Sequence, residues 1–134
     1  MAAQMDAGDQ ARAAAAAFAR MADFLDDYRT QHFDELSPEQ RAALREAEQR
    51  LDDVYNRLIQ LAVQGTLDSI AGDLARIEAV TSAAQKSLAR LSRYEEILKI
   101  AASAIELGTA ALSGDAGMIA SAIEDLANLL PKQT

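Results

Sequence analysis

The sequence predicts an all-α protein: an antiparallel helical bundle of three long helices, continued by a C-terminal Ala/Gly-rich helical hairpin. Three observations carry this. Of the 134 residues, 30 are alanine, the best helix former. Strand formers are thin, with three Phe, three Tyr and no Trp. Apolar residues recur at alternating three- and four-residue steps between three clear breaks.

The first helix is expected over about residues 6–35. Its seam is Ala11, Ala14, Phe18, Met21, Leu25, Tyr28 and His32. It ends before "SPEQ", residues 37–40. There Ser37 suits an N-cap, Pro38 the first helical position, and Gln40 the reciprocal partner of a capping box. The second helix, about 38–64, repeats the pattern with Leu44, Ala47, Leu51, Val54, Leu58 and Leu61. "GTLDS", residues 65–69, offers Gly65 as a terminator and Thr66 as the next cap, with Asp68 near the positive helix end. The third helix starts near Leu67 and runs through Ile70, Leu74, Ile77, Thr81, Ala84, Leu88 and Leu91.

After Leu91 the phase slips, because the next apolar steps are Tyr94, Leu98, Ala101 and Ile105. Two architectures follow. The third helix continues as one rod, projecting residues 94–112 and a fourth helix (about 115–130) as a hairpin. Or it breaks near Ser92 and folds that hairpin back. Gly114 and Asp115 in "SGDAG" form the hairpin turn. Within the single domain 1–134, residues 1–93 are expected to carry the bundle and 94–134 the association surface. The small residues Ala104 and Gly108, then Gly117 and Ser121, recur every four positions, a spacing that lets helix backbones approach closely. With Leu98, Ala101 and Ile105 they form the expected interaction surface.

Charge and chemistry narrow the function. The formal net charge is −8, which argues against nucleic acid as a partner. The one basic stripe, Lys86, Arg90 and Arg93, reads as a solvated face paired with acids of a neighbouring helix. Absence of cysteine excludes disulfides and thiolate metal sites. No Glu-x-x-His pair exists for a di-metal centre, and the single His32 reads as a seam contact beside Asp34 or Glu35. The doublets Asp26–Asp27 and Asp52–Asp53 point about 100° apart on a helix, so neither makes a carboxylate dyad. Asp23 and Asp27 are expected to face Arg50 as ordinary ion pairs. Residues 97–123 are too interrupted by charge to span a bilayer, and no signal peptide is evident.

The expected function is therefore non-catalytic: a cytoplasmic helical interaction module, adaptor, chaperone-like or inhibitory, that packs helix to helix on itself or on a protein partner, with no cofactor and no metal. The alternative is a lipid-active or toxin-like protein whose hairpin engages a membrane surface.

Overall fold

The computed structural model describes residues 7–64 and 71–130. It holds five α-helices and, among the described residues, no strand: α1 (Ala7–Gln31), α2 (Pro38–Gln64), α3 (Ala71–Leu88), α4 (Tyr94–Ser113) and α5 (Ala116–Leu129). The expected boundary around Gly65, Thr66, Leu67, Asp68 and Ile70 lies outside the described residues.

The α1 seam is buried from Ala11 through Tyr28. The helix stops at Gln31, earlier than the pattern suggests, and Phe33–Glu35 tighten into a single 3-10 turn. That turn brings Leu36 into the core, 7% exposed, and prepares the start of α2. Both halves of the capping box form. The Gln40 backbone N–H donates to Ser37 Oγ at 3.1 Å, and the Ser37 N–H donates to Gln40 Oε1 at 2.9 Å. With so short a turn and contact along their length, α1 and α2 run antiparallel. Arg29 fixes their crossing by donating from Nε to Glu48 Oε2 at 2.8 Å, and it also reaches Asp26 at 2.8 Å. Arg29, rather than an Asp23/Asp27–Arg50 set, makes the ion pair between these helices; Arg50 pairs along its own helix with Glu46 at 2.9 Å.

Of the two architectures, the broken helix is the one found. α3 ends at Leu88, and α4 begins five residues beyond Ala89, at Tyr94. The joint is tied down from α1: Tyr28 Oη donates to the Ser92 carbonyl at 2.8 Å. The hairpin folds back. Around the bundle, α1 lies between α2 and α3, α2 leads to α4, α4 to α5, and α5 returns to α3. One hydrophobic core draws on all five helices, with Phe18, Leu51, Leu74, Ile97, Leu107 and Leu126 fully buried. Thr81 enters it too, its hydroxyl satisfied by the Ile77 carbonyl at 2.7 Å.

Because α4 touches α2, α3 and α5, it buries a broad arc. Ile97, Ile100, Ala101, Ala104, Leu107, Gly108 and Ala111 are buried, whereas Tyr94, Leu98 and Ile105 lie half-buried at its edge. The phase slip therefore separates two helices, and the row Tyr94–Leu98–Ile105 is a flank, not the seam. The hairpin turn forms as expected. Gly114 takes the left-handed conformation at φ 75°, and Asp115 caps α5 by accepting from the Met118 N–H at 3.1 Å.

Candidate functional site

The two small-residue rows have different surroundings. On α4, Ala104 and Gly108 are buried. A Cβ on Gly108 would lie 2.6 Å from Val54 Cγ1, so the missing side chain is what admits α2. On α5, Gly117 and Ser121 are exposed. A Cβ on Gly117 would approach only Asp115 Oδ1, at 3.3 Å. Of the seven residues expected to form an interaction surface, Ala101, Ala104 and Gly108 are thus enclosed within the chain. Leu98, Ile105, Gly117 and Ser121 remain accessible.

Three of these four border a shallow groove on the outer side of α4. Between α4 and α5 it widens to about 420 Å³, lined by Ile105, Thr109, Ala110, Met118, Ser121 and Ala122, with Glu106, Asp125 and Arg50 around them. Between α4 and α2 a second recess of about 340 Å³ is lined by Leu98, Ala102, Ile105, Ala43 and Ala47, with Glu46, Arg50 and Glu106. Arg50, Ile105 and Glu106 are common to both, so the two recesses adjoin along α4. Met118 stands half exposed at the wider end.

Sequence reasoning missed Ala102, Glu106, Met118, Asp125 and Arg50 as parts of this surface. A signal was present for α4. Leu98, Ala102, Ile105 and Thr109 follow four-, three- and four-residue steps, a second helical row beside the buried one.

Several polar residues elsewhere make contacts within the fold. His32 Nδ1 lies 2.6 Å from Glu35 Oε2, and its ring stacks on Tyr28 with centroids 4.3 Å apart. Burial, together with the charges of Glu35 and Glu95, pushes the Tyr28 hydroxyl above the usual phenol range. The hydrogen bond that Arg29 donates to Glu48 keeps its guanidinium charged beyond its ordinary range, against the cost of burial. Asp52 is raised above the usual carboxylate range by burial and by the charge of Asp23. The basic stripe is solvated. Arg93 reaches Glu96 of its own α4 at 3.8 Å, and among the described residues no ion pair engages Lys86 or Arg90.

Among the described residues no group of three or more His, Asp or Glu side chains could hold a metal ion. No described helix is long and apolar enough to cross a membrane. The chain matches no family model, no curated protein and no solved structure.

Proposed function

We propose that the protein is a non-catalytic helical interaction module, of adaptor, chaperone-like or inhibitory type, that binds a protein partner through the groove on the outer side of α4. One observation carries this reading. Two adjoining recesses, lined by small and aliphatic residues between charged ones, lie along α4 from Leu98 to Met118, with Ala102, Ile105 and Ser121 among them, on a helix whose other side is already packed. Small and aliphatic residues beside one another suit the apolar stripe of an incoming helix, whose anchors recur at i, i+3, i+4 and i+7.

The test uses positions that cost the fold little. Ala102 and Ser121 are both exposed, so Ala102→Arg and Ser121→Arg should leave the far-UV spectrum and unfolding midpoint nearly unchanged. Affinity capture from the native cell should lose its specific partner with either variant. It should keep that partner with Ala79→Arg, a substitution at an exposed position of α3. A captured set indifferent to Ala102→Arg and Ser121→Arg would remove the groove from the mechanism.

A further inference from the structure

The groove has a length, a floor and a charge, and together they specify an occupant. Its α4 wall runs from Leu98 to Thr109, eleven residues on, which at a 1.5 Å rise is about 17 Å, or three helical turns. Its floor is small and aliphatic, with Ala102, Ile105 and Ala122, so a helix can lie close.

The charge is one-sided. Arg50 is engaged by Glu46 at 2.9 Å. Glu106 and Asp125, also on the groove, take part in no ion pair among the described residues. The rim therefore keeps an acidic excess, on a chain whose formal net charge is −8. A second copy packed groove to groove would set acid against acid, and an anionic lipid surface would do the same.

We infer that the groove accepts an amphipathic helix of about three turns whose apolar stripe is flanked by Lys or Arg, presented by a protein other than a second copy of this chain. This rests on the groove being the docking surface proposed above. The basic flanks pair with Glu106 and Asp125, and the stripe covers Ala102 and Ile105. Met118, unbranched and exposed at the end, adapts to the terminal anchor.

The probes are three synthetic helical peptides. The first has a Leu/Ala stripe flanked by Lys. The second is identical but carries Glu for every Lys. The third has the composition of the first with the stripe scrambled. Each is titrated against the full-length protein, with backbone amide shifts locating the site and fluorescence anisotropy giving the affinity. The Lys peptide should shift amides around Ala102, Ile105, Glu106 and Ser121, and bind more weakly as salt rises. The Glu and scrambled peptides should not. Glu106→Gln with Asp125→Asn should weaken the Lys peptide by about three- to tenfold and flatten its salt dependence. Ala102→Arg should abolish its binding with the fold intact.

Binding of the Glu peptide at the same amides with equal strength would overturn the basic-partner inference and leave the groove reading standing. Equal binding of the scrambled peptide would reduce the attraction to net charge and overturn the inference as well. No groove shift with any peptide would defeat both. Concentration-dependent dimerisation of the protein alone, lost in Ser121→Arg, would place a second copy in the groove and overturn the choice of partner. Co-sedimentation with anionic vesicles, lost in the same variant, would place a lipid surface there instead.

Discussion

Ala104/Gly108 on α4 and Gly117/Ser121 on α5 share one spacing and differ in what they meet. The first row is closed over by α2, with Val54 filling the space a side chain at 108 would need. The second faces outward. A four-residue repeat of small residues thus marks a helix face that can be approached closely, without saying what approaches it. The approaching helix is fixed by where the chain turns, and that depends on the break at residues 89–93.

The strongest way to break the comparison is to remove both rows. A chain ending at Arg93 loses Ile97, Ile100, Leu107, Ile119 and Leu126, all nearly fully buried. At roughly 1.5–3 kcal/mol per side chain, that loss rivals the whole stability of a typical domain. The shortened chain is expected to keep some helix but to unfold without a cooperative transition. This reverses the expectation from the sequence, which gave the fold to residues 1–93. A sharp denaturant transition in the shortened chain would restore the earlier division.

Next comes a paired substitution. Gly108→Leu should destabilise by about 3 kcal/mol, because Val54 is a stiff, β-branched neighbour that cannot swing aside. Gly117→Leu should change stability by less than about 0.5 kcal/mol. Chemical denaturation of both decides it, and equal midpoints would mean that α2 does not press on α4 at Gly108. Combining Val54→Ala with Gly108→Ala should recover part of the loss seen for Gly108→Ala alone, as expected when two residues share one space.

A smaller effect tests the turn that sets α1 against α2. Ser37→Ala removes the acceptor for the Gln40 N–H and should cost about 1 kcal/mol. An unmoved unfolding midpoint would show that the Gln40 half of the box suffices.

The smallest effect concerns Asp52. Its folded pKa lies above the ordinary value, first through partial desolvation of an otherwise exposed carboxyl and then through Asp23. Ionised Asp52 therefore opposes folding, and that opposition is relieved as pH falls through the raised pKa. Asp52→Asn should stabilise slightly at neutral pH, by under about 0.5 kcal/mol because the residue is exposed, and the gain should fade in acid. Unfolding midpoints measured at two pH values would show it; a destabilised variant at neutral pH would contradict the sign.

How much of this was legible depends on the residue. Leu44, Leu51, Val54 and Leu58, or Ala14, Phe18, Met21 and Leu25, declare their burial by period alone, since each helix there offers one stripe to its neighbours. Ser37 and Gln40 declare a helix start because their chemistry is local. α4 is different. It is covered from three sides, so Ile97, Ile100 and Ala104 are buried while Leu98 and Ile105, equally apolar, sit at the edge. Period does not rank apolar residues within a wide buried arc; long-range packing does. The groove was half visible for the same reason. Leu98, Ile105 and Ser121 could be singled out, but Arg50 joins them only through the crossing of α2 and α4.

The tie between Tyr28 and the Ser92 carbonyl has an optical consequence. The chain holds three tyrosines and no tryptophan, so its near-ultraviolet signal is a tyrosine signal. Tyr28 donates the proton that closes the α3–α4 joint, and its folded pKa is raised, mainly by burial. That stabilising contribution is complete below the unfolded phenol pKa and disappears as pH climbs through the folded one. Tyr94 is raised too, by burial and then by Glu95, so an alkaline absorbance titration should show two phenols ionising late, and only the Tyr28 step, which Tyr28→Phe should erase, should come with a loss of helix. The α3–α4 joint carries its own chromophore, and its loss at high pH can be followed without attaching a label.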